Sequence, residues 1–511
     1  MPLFRVVRSR AGLAESPPPA NCWVLRPESL NEDGLQTAFV LSRSMADGAE
    51  KRIGLVRIAS RGQERGRTAL GNSFTAVDPL TYSLGAEIEY YREMRAIAGA
   101  DAHAVLQGLG DVAVDADRRE RFASERAFTL SLTRYAPAQL ALRQAEDVLA
   151  GVSEDGGTGL GITFTTSVGG SPLTLEVDFS IDTALPGEMV VLVGPNGSGK
   201  TRLLANLALA AFDPLDSRRF GHIVATQPFS RILAFSYSAL DQFDVPGGNA
   251  RSRSDFISAG VDTGYSYFGL RDLGRTSPPN PEGRPVPLKS AAQIAGEFRD
   301  ALEEALGLDD LFRRTLHEVL AEPSFTSGAL ISEEDVVRSE DTALMEMLLS
   351  FFTDASTGHK FVLLMVAQLC ASVRSRSLVL VDEPEAHLHP PLLAAFLKAL
   401  RSVLREREAN AIVSTHSPFM VQEIPARHVR IITRLGPMTR VRKPLIETFG
   451  EDIGTISREV FQLDLDRGAY VEILEDLANL PLEDVERQFE SGLSGQARSL
   501  VIAAQTRDPR V

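Results

Sequence analysis

Eight consecutive residues, Gly194-Pro195-Asn196-Gly197-Ser198-Gly199-Lys200-Thr201, combine three glycines with a lysine and a hydroxyl side chain. Such a loop, between an apolar strand and a helix, curls so that its backbone N–H groups face anionic oxygens. Lys200 then supplies a positive charge to the β- and γ-phosphates of a nucleotide, and the Thr201 hydroxyl is placed to ligate Mg²⁺. Arg202 opens the helix beside them and is counted among the ATP-binding residues. Far downstream, residues 377–384 read SLVLVDEP, an apolar run ending in two carboxylates. Asp382 is the candidate to hold Mg²⁺, through water, and Glu383 the candidate to polarise an attacking water as general base. Residues 411–418, AIVSTHSP, form a third such run and place His416 at a strand tip, where it can bond a terminal phosphate or the attacking water.

Residues 353–360, TDASTGHK, precede a long apolar helix. Small hydroxyl residues and a glycine at a helix start read either as an ordinary N-cap or as a second anion-binding tip. In the second reading Ser356 and Gly358 contact a phosphate. Two tips on opposite faces cannot share one phosphate within one chain, but they can in a head-to-tail pair, so that reading predicts a dimer with two composite sites. His387 and His389, two apart, suggest a metal site, but no further ligand set lies nearby in the sequence; a positional role in the turn after 382–384 fits better.

These residues need a parallel sheet to bring them together. The runs 189–193, 232–238, 377–381 and 411–415 read as buried strands, and 202–210, 361–372 and 392–405 as helices. Residues 162–165 and 173–179 alternate as a hairpin. Residues 289–321 carry apolar residues at helical spacing and suggest a compact lobe. Upstream, 22–25, 37–42 and 53–58 suggest a small antiparallel sheet, residues 85–108 and 116–127 helices, and residues 1 to about 20 a loose leader. Five glycines between 151 and 161 mark a linker. The expected division is an N-terminal α+β recognition domain at 1–158, an ATPase core at 159–435 with a helical insertion at about 245–345, and a helical tail at 436–511.

Composition narrows the field. A net charge of −15 over 511 residues excludes a generally basic nucleic-acid coat, though not a local basic groove. Two cysteines, Cys22 and Cys370, provide neither a disulfide framework nor a zinc pattern, which fits a reducing cytoplasm. No apolar stretch is long enough to span a bilayer, so no membrane role through the chain's own segments is expected.

The order GPNGSGKT, STGHK, VDEPEAHLHP and STHSP, over about residues 160–435, resembles ABC-type ATPases of the SMC, RecF and OLD-like group. It looks most like the stand-alone bacterial members, many of which serve anti-phage defence; the ATPase of Septu-type systems, which pairs with an HNH nuclease, is one such relative. The resemblance implies an α/β fold, an ABC-type P-loop head, ATP and Mg²⁺ as ligands, ATP-driven dimerisation and slow hydrolysis to ADP and phosphate. It makes Lys200 and Thr201 phosphate and Mg²⁺ contacts, Asp382 the Walker B carboxylate, Glu383 the base, His416 the switch histidine, and Ser356 and Gly358 contacts to the partner's nucleotide. The signature is STGHK rather than LSGGQ; no clean motif marks the usual mid-domain glutamine, for which Gln242 is a candidate. Asp464 and Asp466 form a DxD pair, but the tail is short for a nuclease domain. The leading expectation is therefore an ATP-driven switch, as a homodimer or higher oligomer, that controls an effector in bacterial anti-phage defence; the resemblance implies a nuclease of HNH type as that effector. The alternative is a RecF-like ATPase acting directly on DNA, with Arg61, Arg65, Arg67, Arg251 and Arg253 as candidate contacts. A transporter ATPase subunit is a third class, disfavoured by the large N-terminal region.

Overall fold

The computed structural model describes residues 2–7, 20–152, 159–179, 185–238, 243, 246, 264–272, 287–326, 333–436, 438–461 and 469–507. Gln242, Arg251, Arg253, Asp464 and Asp466 lie outside the described residues, as do residues 8–19, most of the glycine-rich linker and the turn-rich 276–283.

The first sheet has six strands: β1 (Phe4–Val6), β2 (Trp23–Pro27), β3 (Ala38–Ser44), β4 (Glu50–Ser60), β5 (Ser73–Phe74) and β6 (Thr81–Gly85). Their order is β5-β1-β2-β3-β4-β6, antiparallel except for the β1–β2 pair. The expected leader is corrected at its start. Residues 4–6 are a paired strand, held because Phe4 is fully buried and its ring stacks on Phe74 at 5.1 Å. Helices α1 (Ile88–Ala98) and α2 (Ala136–Ala150) cover this sheet.

The second sheet has three antiparallel strands, β7 (Gly161–Val168), β8 (Ser171–Asp178) and β10 (His222–Ala225), with β7 in the middle. Along β7 and β8 alternate residues are buried, the pattern of a sheet with one wet face.

The central sheet carries the motifs. It comprises β9 (Met189–Val193), β11 (Ile232–Ser236), β12 (Tyr265–Gly269), β13 (Leu378–Asp382), β14 (Asn410–Thr415), β15 (Val429–Leu435) and β16 (Met438–Arg442). Its order is β12-β11-β13-β14-β9-β15-β16, parallel up to β15, with β16 antiparallel on the edge. The tail expected to be helical thus begins with a strand.

The inner strands are apolar throughout because both faces are covered. Met189, Val191, Val193, Leu233, Phe235, Val379, Val381, Ala411 and Val413 join one core; Val190, Leu192, Ile232, Ala234, Leu378, Leu380 and Ile412 join the other. Helix α3 (Lys200–Phe212) lies on the second face. On the first lie α4 (Ala291–Leu308), α5 (Leu311–Leu320), α6 (Asp341–Asp354), α7 (Thr357–Ser372) and α8 (Pro390–Glu406). The expected helical lobe is therefore continuous with the head's own core: Phe298 of α4 stacks on Phe352 of α6 at 4.2 Å. At the C-terminus three short helices, Ala469–Leu477, Leu482–Glu486 and Gly495–Arg507, close over Leu474, Val485 and Val501.

Candidate active site

Parallel strands end on one edge, so the loops after β9, β13 and β14 meet there; this is where α/β sheets bind ligands. The register is specific: β9 Val193 pairs with Thr415, and β13 Asp382 with Ser414. The loop after β9 is Gly194 to Gly199, and α3 begins at Lys200. Gly199 has φ +96°, and a Cβ there would lie 2.4 Å from Val168 Cγ1 of β7. A Cβ at Gly194 would lie 2.2 Å from the Ile432 carbonyl oxygen. Both positions exclude a side chain on steric grounds alone. Pro195, Asn196 and Gly197 are exposed at the tip, and Arg202 is exposed on α3.

Lys200 is buried although charged. Its Nζ donates to the carbonyls of Gly194 (3.0 Å) and Pro195 (3.4 Å) and lies 2.7 Å from His416 Nε2. Burial lowers its pKa, against the pull of Glu383, Asp382 and Glu385. Thr201 Oγ1 donates to Asp382 Oδ1 at 3.1 Å, and Ser414 Oγ donates to the same oxygen. Asp382 is buried. Glu383 sits in the left-handed region at φ +47°, which turns its carboxylate back over the edge, 3.0 Å from His416 Nε2. The His416 hydrogen bond holds its carboxyl below the usual range, with Lys200 and His416 charge adding to the effect and burial opposing it.

The fit to a nucleotide can be tested on the residues present. A buried cation, two positions where a side chain cannot stand, and a carboxylate with an adjacent hydroxyl suit a polyphosphate with a divalent cation. Ser198 Oγ is buried with no hydrogen-bond partner among the described residues, which leaves a donor for an incoming oxygen. Thr201 and Asp382 are the residues that would hold the cation.

The structure thus brings Lys200, Thr201, Asp382, Glu383 and His416 together. Ser356 and Gly358 belong to a different tip, the start of α7. Ser356 is its N-cap, and the Gly358 backbone faces Leu392 and the His387 carbonyl. His387 is positional. Its ring stacks on Phe361 at 4.3 Å, and Nε2 is 2.8 Å from the Tyr237 carbonyl. No group of three or more His, Cys, Asp or Glu side chains forms a metal cluster among the described residues.

Two participants were not singled out in the sequence. Ser414 reaches Asp382 only because of the β13–β14 register. Glu385 Oε1 accepts from Thr415 Oγ1 (2.7 Å) and from the His416 backbone N–H, fastening the histidine strand to the β13 loop. Their signal was present as polar residues at the ends of two apolar runs, but the pairing depends on strand order. Among the basic candidates, Arg61 is exposed and 4.0 Å from Glu125.

Residues 349–421 match the AAA_21 family, described as "AAA domain, putative AbiEii toxin, Type IV TA system". The segment runs from α6 through the start of α7, both carboxylates and His416. The strand order and the loop between β9 and α3 give the head a P-loop-type α/β fold. The chain is also 26% identical to Protein ea59 of Escherichia phage lambda over 509 residues, covering 94% of each. Among solved structures, the SMC head bound to the C-winged helix domain of ScpA aligns at 13% identity with a TM-score of 0.28, covering 56% of this chain and 96% of the other. RNase-L Inhibitor aligns at 15% identity with a TM-score of 0.28, covering 56% of this chain; the alignment spans 39% of that protein's length. Strand order and loop geometry, rather than these overlaps, carry the fold assignment. No helix among the described residues is long and apolar enough to cross a membrane.

Proposed function

We propose that this protein is an ATP-hydrolysing switch whose heads dimerise head-to-tail on ATP and release on hydrolysis, and that it controls an effector nuclease in the conflict between phages and bacteria. The observation that carries the ATPase reading is the convergence of Lys200, Thr201, Asp382, Glu383 and His416 on one sheet edge. Support for the setting is the toxin–antitoxin system in the family's description and the phage origin of the full-length relative.

In this mechanism the loop N–H groups and Lys200 hold the phosphates, and Ser198 donates its unused hydroxyl. Thr201 and Asp382 would hold a Mg²⁺ ion, which would supply positive charge beside the leaving phosphates. Glu383, kept ionised by His416, takes a proton from the attacking water. His416 orients that carboxylate, and Glu385 orients His416. Ser356 and Gly358 of the second chain close the site on the far side of the terminal phosphate.

Glu383→Gln should slow hydrolysis by about 10²–10⁴-fold while leaving ATP bound. The test is to purify this variant from cells carrying the neighbouring genes, with and without ATP and Mg²⁺, and measure the mass and composition of the assembly. A dimer with a stoichiometric second protein supports the proposal. Bound nucleic acid with no second protein favours direct action on DNA instead. A monomer that holds ATP overturns the composite site.

A further inference from the structure

The tip of α7 contains a histidine that the ATPase reading leaves unused. Ser356 caps the helix, accepting from the His359 N–H at 3.5 Å, and its Oγ is 2.7 Å from His359 Nδ1. The other ring nitrogen, Nε2, is 3.2 Å from Ser324 Oγ on the short helix Pro323–Thr326. The ring stands edge-on to Phe325 at 4.4 Å and to Phe351 at 6.4 Å. It is therefore fixed between the tip and the helical lobe, while Ser356 itself is exposed.

This geometry has a chemical consequence. With one proton, placed on Nε2 and donated to Ser324, the bare Nδ1 accepts the Ser356 hydroxyl proton. Ser356 then offers only lone pairs outward, which repel an anion. With protons on both nitrogens, the ring donates to Ser324 and to Ser356 Oγ, and the serine O–H is free to donate outward.

We propose that His359 is a positioning residue: its protonation turns the Ser356 hydroxyl from acceptor to donor toward the terminal phosphate held by the partner head. The inference rests on the head-to-tail reading above. The groups facing the ring are His389 at the start of α8, Glu322 and the Ser324 hydroxyl on the lobe side, and Ser356 on its own element. Lys360 points away, its Nζ donating to the Thr353 carbonyl at 2.9 Å. Burial, then His389, lower the His359 pKa in the separate chain, while Ser324 and Glu322 pull it up. A phosphate arriving at Ser356 adds negative charge beside the ring and favours the proton. Closure therefore favours the protonated ring at each tip, and the ATP-bound dimer tightens as pH falls.

The experiment uses the full chain with Glu383→Gln, ATP and Mg²⁺, and measures the dimer dissociation constant by sedimentation from about pH 8 to about pH 6. The expected change is about tenfold tighter at the lower pH. His359→Asn places an amide donor where Nδ1 stands and does not titrate; it should dimerise tightly with no pH slope. His359→Leu should dimerise weakly at every pH while binding ATP in the single head as before. A pH slope that survives His359→Asn, or a His359→Leu chain that dimerises like its parent, overturns the inference alone. A parent chain that holds ATP and stays monomeric at every pH overturns the head-to-tail reading and this inference with it.

Discussion

His416 cannot satisfy both neighbours at once. Its Nε2 is 2.7 Å from a lysine amine and 3.0 Å from a carboxylate oxygen. A bare Nε2 accepts from Lys200 and then turns a lone pair toward Glu383; a protonated one donates to Glu383 and then faces the lysine's own N–H groups. On the proposed mechanism, phosphate oxygens draw Lys200 away and leave His416 to Glu383. A second residue-scale conflict lies far from the site. Asp111 is fully buried under the first sheet, accepting from the Ala113 N–H at 2.8 Å and from the Tyr91 hydroxyl at 2.9 Å. Burial pushes its pKa up to about 7, although these hydrogen bonds pull it down. An unfolded aspartate titrates near 3.9, so between about pH 4 and pH 7 the folded chain holds a proton that the unfolded chain has released. The stability contributed by that proton is present below the unfolded pKa and is lost as pH rises through the window, with a slope that approaches about 1.4 kcal/mol per pH unit. Urea unfolding across this range should show the fall, and Asp111→Asn should flatten it. A parent and variant with the same slope would refute the assignment.

At the scale of elements, the motifs were legible because the strands carrying them are central. Residues 189–193, 378–381 and 411–413 are covered on both faces, so they are unbroken apolar runs that stop where the chain turns polar. The edge was not legible. β15 and β16 carry Arg430, Arg434, Arg440 and Arg442, and β1 is three residues long; their pairing comes from neighbours distant in sequence. The same limit hid Ser414 and Glu385, whose types were visible but whose partners follow from register. Ser356 was legible as an N-cap, whereas the His359 contact to Ser324 depends on how the lobe folds back. One element-scale contact should be decisive for binding. Gly199 joins the loop to α3 in a conformation that disfavours a side chain, against Val168 of the hairpin sheet. Gly199→Ala must shift either the loop or β7, at a cost of about 1–3 kcal/mol. The expected outcome is a folded chain by circular dichroism whose ATP affinity, measured by calorimetry, falls at least about tenfold. Unchanged affinity would mean that the loop does not need this geometry.

At the scale of the molecule, the proposed switch would have to transmit head movement to whatever it controls, and the N-terminal part packs tightly against the head. Glu87, ahead of α1, pairs with Arg231 at 2.7 and 2.9 Å, and both side chains are buried, each with 6% exposure. Arg231 immediately precedes β11, next to the strand that carries Asp382. Tyr135 stacks on Phe212 at the end of α3 at 4.5 Å, and Arg134 reaches Asp213 at 2.8 Å. Leu30, Val40, Leu55 and Ala86 share one core with Leu204, Phe212 and Ile232. The two parts are thereby fused through apolar burial and a bidentate ion pair rather than hinged. Arg231→Met leaves Glu87 buried without its cation, which should cost about 3–5 kcal/mol. Adding Glu87→Gln removes the stranded charge and should restore a large part of that loss. If the pair fastens the domains, calorimetry should give one unfolding transition for the parent and two for Arg231→Met, with the N-terminal domain melting first. ATP binding by the head should persist in that variant, because the Lys200 loop lies at the opposite end of the sheet, whereas any effector that reads the N-terminal domain should lose its response to ATP. A single transition in Arg231→Met, with the effector's response intact, would show that the shared apolar core alone carries the coupling.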